Sequence, residues 1–154
     1  MLKKFQMEDS STVSTPMVVG CKMSKDDISP DVDQRTYRSM IGSLLYITAS
    51  RPDIMQVVGM VGRFQSAPKQ SHLAAVKRIF KYLKGTMTYG LWYPRNQNFQ
   101  LTAYSDADWE NCVDERKSTS GGAFFLGDSL AWLSKKQGSI CLSTTEVEYI
   151  ADAT

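Results

Sequence analysis

Residues 101–112 read LTAYSDADWENC. Asp106 and Asp108 stand two apart inside an apolar, strand-like run. Residues two apart on a strand share a face. Tyr104, Asp106 and Asp108 therefore line one face, and Ala103, Ser105, Ala107 and Trp109 the other. Carboxylates in such a run are costly to bury unless something pairs with them. Hard oxygen ligands suit Mg²⁺, and a pair of such ions activates water and stabilises a leaving oxygen. The spacing alone leaves two readings of Asp106 open: a metal-holding carboxylate, or one that caps a turn at the strand end.

Upstream of this stretch the period is helical. YRSMIGSLLYITAS (37–50) sets Tyr37, Met40, Ile41, Leu44, Leu45 and Thr48 on one stripe, with Asp33 as N-cap. In RPDIMQVVGMVGRFQSAP (51–68), Ser50 is placed to cap, Pro52 suits the first turn and Asp53 suits the helix dipole. Ile54, Val57, Val58, Val61 and Phe64 form its apolar side. Gly59 and Gly62 allow close packing, and Pro68 ends it. Ser71 is placed to cap HLAAVKRIFKYLK (72–84), whose stripe is Leu73, Val76, Ile79, Phe80 and Leu83, with Gly85 as its stop signal. Lys77, Arg78, Lys81 and Lys84 cover the rest of this helix. They read as a solvated basic face, or as one that touches phosphates.

Downstream, TYGLWYP (88–94), LTAYSDADW (101–109), STSGGAFFLG (118–127) and SLAWLSKK (129–136) read as strands, with Gly127-Asp128 as a hairpin turn. SICLSTTEVEYIADAT (139–154) reads as a strand end running into a helix. Ser143-Thr144-Thr145-Glu146 matches the capping box, which occupies Glu146 structurally. Glu148 lies roughly 200° further round the helix. It stands beside the core side formed by Val147, Ile150 and Ala151, and is free to face a neighbouring strand.

Bulk composition bounds the rest. The chain has 154 residues, a formal net charge of +2, 42 % hydrophobic and 22 % charged residues. This is the profile of an ordinary globular domain or two small pieces. Three cysteines, Cys21, Cys112 and Cys141, lack zinc spacing, and their odd number argues against a closed disulfide framework. They read as reduced thiols of a reducing compartment. His72, the single histidine, has no nucleophile motif beside it and reads as a packing or surface residue. The first 32 residues are rich in Ser, Thr, Asp, Lys and Pro and predict linker-like loop with little packed structure before Asp33. Their lysines are not followed by a continuous apolar run, and no stretch reaches bilayer-spanning length. The expected location is cytoplasmic or nuclear, with no membrane partner.

Five blocks then carry a resemblance: YRSMIGSLLYITASRPDI, HLAAVKRIFKYLKGTMTYGLWYP, YSDADWENCVDERKSTSGGAFFLG, LAWLSKKQ and LSTTEVEYIA. In this order they resemble the C-terminal part of a Ty1/copia-type retrotransposon Pol polyprotein, from about residue 5 onward. The resemblance implies an α+β chain in three parts. These are a linker-like segment (1–32), a helical region like the reverse transcriptase thumb and connection (33–93), and a truncated RNase H-like half-domain of antiparallel strands plus a C-terminal helix (94–154). In that family the Asp of the YSDADW block and the second Glu of STxExEY are metal-binding carboxylates, here Asp106 and Glu148. Asp108 is a motif residue without a ligand role. The family's RNase H draws two further aspartates from sequence beyond this stretch, and the chain has no Y-x-D-D polymerase motif. The implied protein is therefore a non-enzymatic fragment with a vestigial site and no cofactor, Mg²⁺ entering only if a partial site is retained. The uncovered sheet edge would be open to a host protein or a second copy. An Mg-dependent RNase H completed by a partner is an alternative.

Arg116 and Lys117, with Ser118 and Thr119, and joined by Lys135 and Lys136, read as weak, non-specific nucleic-acid contacts, or as a polar connection between strands. The chain also resembles proteins named secreted RxLR effectors of plant-infecting oomycetes. That resemblance implies secretion, delivery into plant cells and modulation of cell death and immunity by binding a host protein. The degenerate motif is Arg35-Thr36-Tyr37-Arg38; Asp114-Glu115-Arg116-Lys117 is similar to the acidic element that accompanies such motifs, but lies far downstream of it.

Overall fold

The computed structural model describes residues 1–21, 23–25, 27–93, 95, 100–109, 114 and 116–153. Cys112 and Glu115, both singled out above, lie outside them. Among the described residues the chain is α+β, with four α-helices and one three-stranded antiparallel sheet. It forms two compact units, Met1–Tyr89 and Gly90–Thr154.

The first unit is built on three helices. α1 (Gln34–Thr48) starts where Asp33 accepts a hydrogen bond from the Thr36 N–H at 2.8 Å, as expected of an N-cap. Tyr37, Met40, Ile41, Leu44 and Thr48 are buried, each large apolar side chain contributing about 2 kcal/mol. Leu45 departs from the expected stripe and is 52 % exposed. It lies about 100° round the helix from Leu44, outside the arc that meets α2 and α3. A 3-10 turn (Pro52–Ile54) leads into α2 (Met55–Gly62), which ends well before Pro68. Ser50 does not cap: its hydroxyl hydrogen-bonds back to the Ile47 carbonyl, and Arg51 takes the entry position. Gly59 meets open space, whereas Gly62 sits against Ile41. α3 (Gln70–Gly85) starts two residues earlier than the Ser71 cap requires. The Lys69 N–H donates to the His72 ring, and the Ser71 N–H is taken by Ser29.

The N-terminal segment corrects the linker expectation. Its regular structure is one 3-10 turn, Lys3–Phe5, but it packs as a strap over α3. Met7 is buried, Phe5 meets Phe80 edge-on at 5.3 Å, and Leu2, Val13, Met17 and Met23 lie against the core. Loop composition forecasts absence of regular structure, not absence of burial: well-spaced apolar residues suffice to hold a strap. Gly85 serves this packing rather than a turn, since a Cβ there would stand 3.2 Å from Thr12.

The second unit is a meander with a helix. β1 (Leu101–Asp108), β2 (Thr119–Leu126) and β3 (Ser129–Lys136) pair in the order β1-β2-β3. Leu126 opposes Ser129, which leaves Gly127 and Asp128 as the two-residue turn. Positive φ at Gly127 alone (+60°) has the character of a type II′ hairpin. α4 (Thr144–Asp152) closes the chain. TYGLWYP forms no strand over its described residues 88–93, and residues 139–142 form none either. A strand needs a ladder partner, and the aromatic run uses its side chains instead, Tyr93 donating to the Leu130 carbonyl at 3.0 Å.

Candidate functional site

The register from Leu101↔Leu126 to Asp108↔Thr119 is unbroken, so side chains alternate strictly between two faces. The face with Ala103, Ser105 and Ala107 continues through Gly122 and Ser120 of β2 into Leu133 and Lys135 of β3. α4 lies over it. The Ser105 hydroxyl donates to the Asp152 carboxylate. Gln137, itself buried, donates to the Ser120 hydroxyl and to the Val147 carboxyl-side backbone oxygen, both at 3.0 Å, and Cys141 Sγ donates to its amide oxygen at 3.4 Å. Val147 and Ala151 are the buried residues of the helix.

Asp106 therefore stands on the other face, with Tyr104 and Asp108, opposite Gly121. It is exposed, and its carboxylate accepts the Ala107 N–H at 2.9 Å. Glu148 is exposed on α4, one turn before Asp152. The strand that holds Asp106 and the helix that holds Glu148 are thus packed together, but Asp106 leaves the sheet on the side away from that helix. Glu146 is occupied as expected, although it accepts the N–H of Leu142, not that of the Ser143 cap; Ser143 in turn accepts from the Glu146 N–H. Among the described residues no three His, Cys, Asp or Glu side chains gather at metal-binding distance. The residue sequence reasoning missed is Asp152. Its signal was the i, i+4 spacing from Glu148.

The basic residues do not form one patch. Lys135 pairs with Ser120 and Lys136 with Thr119, so the two neighbours point to opposite faces. Arg116, in the left-handed region at φ 50°, and Lys117 stand just before β2. On α3 the basic face is partly consumed by the strap. Arg78 donates to the Thr15 carbonyl and hydroxyl at 3.2 and 2.9 Å, and Lys84 donates to the Glu8 and Ser10 carbonyls.

Arg35-Thr36-Tyr37-Arg38 forms the first turn of α1. Thr36 binds Asp33 through both its N–H and its hydroxyl. Tyr37 is fully buried and donates to the Val61 carbonyl at 2.7 Å, and burial pushes its phenol well above the ordinary range. Arg38 donates to the Gln65 carbonyl at 3.2 Å. His72 is a packing residue, fully buried, stacked on Phe64 at 3.9 Å with its ring nitrogens on Lys69 N and Ser24 O. Arg51 is a buried ion. It forks onto Asp53 at 2.9 and 2.6 Å and onto Thr86, while Tyr82 donates to Asp53 at 2.7 Å. The hydrogen bond from Arg51 holds the Asp53 carboxyl below its ordinary value. Cys21 and Cys141 are unbridged thiols, half-buried and buried. Among the described residues no helix is long and apolar enough to cross a membrane.

The chain is 38 % identical over 97 % of its length to a protein of Arabidopsis thaliana named retrovirus-related Pol polyprotein from transposon RE1. It is 34 % identical over 98 % of its length to an uncharacterized mitochondrial protein of the same plant, of which it covers 63 %. It is also 44 % identical, over 75 % of its length, to a protein of Plasmopara viticola named secreted RxLR effector protein 161, of which it covers 82 %. Over nearly its whole length the chain is similar to copia-type retrotransposon Pol polyproteins. It spans about a tenth of the length of the Pol polyproteins it matches. No family model matches the chain, and no solved structure does.

Proposed function

We propose that this stretch is a non-catalytic segment derived from a retrotransposon Pol polyprotein. Its first unit corresponds to the helical tail of the reverse transcriptase and its second to an RNase H-like half-domain with a vestigial site. The observation that carries the reading is the seat of α4 on Ser105 through Asp152, which leaves Asp106 on the opposite face from the helix bearing Glu148. Carboxylates so divided do not suit one shared Mg²⁺, which needs near-ideal octahedral oxygen geometry. No hydrolytic step is therefore routed through them. The test is an RNA–DNA hybrid assay with millimolar Mg²⁺, using the chain and its Asp106→Asn variant. No cleavage above background by either is the expected result. Hybrid cleavage that disappears in Asp106→Asn would overturn the proposal and favour an Mg-dependent RNase H, completed by a partner if it needs one.

A second reading, a binding role as an effector inside plant cells, is favoured by the extent of similarity to the protein named an RxLR effector and by the position of β1 at the edge of the sheet among the described residues. Along such an edge alternate residues present ladder groups that invite an added strand from a host protein or a second copy. In this reading Arg35–Arg38 belong to α1 and the partner surface lies on the sheet. Expression in leaves, with cell death scored against a trigger, tests it. Unchanged cell death while the protein accumulates counts against it.

A further inference from the structure

The strap and α3 leave a groove of about 620 Å³ between them, within the first unit. Its origin is local. α3 presents the small residues Ala74 and Ala75 to the strap, so the helix surface is hollow there. The facing wall is apolar: Met7, Val13, Met17 and Val18. Methionine side chains adapt to irregular apolar shapes, and the volume falls in the range of about 300–1,000 Å³ typical of small-molecule sites.

The rim differs in character. Lys77 and Lys81 border the groove one helical turn apart, and like charges at that spacing disfavour each other. Arg78, between them in sequence, is already held by Thr15. The groove thus offers an apolar trough with two lysines among its lining residues. A neutral apolar molecule leaves those cations unmatched, and a bare phosphate leaves the apolar walls unused.

We propose that this groove binds a long-chain aliphatic monocarboxylate. Its chain lies between Ala74, Ala75 and the strap methionines, and its carboxylate sits on Lys77 and Lys81. The probe is cis-parinaric acid, titrated into the full chain and followed by its fluorescence, with its methyl ester as the uncharged control. Saturable binding of the acid is expected with a Kd of about 1 µM, and of the ester about tenfold weaker. The paired substitution Lys77→Ala and Lys81→Ala lowers acid affinity about tenfold and leaves the ester unchanged. Ala74→Leu narrows the trough and weakens both. Lys77 is exposed and Lys81 half-buried; unaltered far-UV circular dichroism of the lysine pair keeps its result readable even if Ala74→Leu disturbs the fold. Equal binding of acid and ester, acid binding insensitive to the lysine pair, or no saturable binding would each overturn the proposal.

Discussion

Replacing Tyr37 with Phe removes one oxygen and nothing else. The ring is fully buried and keeps its packing against the three-helix core. What is lost is the 2.7 Å hydrogen bond to the Val61 carbonyl. That carbonyl still accepts the Phe64 N–H at 3.3 Å, so it is not left bare. The cost is then the net worth of one buried hydrogen bond, about 1 kcal/mol, without the added penalty of an orphaned acceptor. For a unit of this size that corresponds to a fall in Tm of about 4–8 °C, or a fall in urea midpoint of about half a molar with m unchanged. The assay is urea unfolding followed by far-UV circular dichroism. Tyr46→Phe serves as control, because Tyr46 is 85 % exposed and its substitution leaves the midpoint in place. A Tyr37→Phe midpoint equal to or above that of the parent refutes the reasoning. Of Arg35-Thr36-Tyr37-Arg38 only Tyr37 is buried, and Arg35, Thr36 and Arg38 are exposed.

Arg51→Ala strips Asp53 and Thr86 of their buried partner and destabilises the first unit by about 3 kcal/mol, measured by the same unfolding assay. Arg51→Lys recovers little of this, since a single ammonium cannot reproduce the fork. Asp53 also sets a pH dependence. Its carboxyl is held below 3.8 when folded, chiefly by the Arg51 hydrogen bond, so the unfolded chain takes up the proton first on acidification. The resulting stability is fully present above the unfolded value and is lost as pH falls through the folded one. The drop in urea midpoint below about pH 4 should shrink in Asp53→Asn.

Much of the architecture was legible in the residues, for local reasons. Apolar period, the Asp33 and Ser143 caps and the Gly127-Asp128 turn depend on neighbours a few positions away. α1, α2, α3, the three-strand meander and α4 accordingly fall where these signals put them, apart from their ends. What failed depended on distant partners. Ser71 has cap chemistry, yet the distant Ser29 engages it first; Ser50 is the local exception, its hydroxyl turning back to Ile47. TYGLWYP has strand composition, but composition does not supply an edge to pair with.

The candidate site divides in the same way. The sequence by itself determined which side chains carry charge and which of them share a strand face, because alternation is a property of the backbone. The similarity to retrotransposon Pol sequences too was readable from the ordered blocks. Only the tertiary structure decided which face of β1 the helix covers, that Asp152 rests on Ser105, and that Arg78 and Lys84 hold the N-terminal strap. The physical reason is that a strand specifies two faces equally well. The packing of α4 through Val147, Ala151 and Gln137 breaks that symmetry, and these are contacts across the chain that no local pattern encodes.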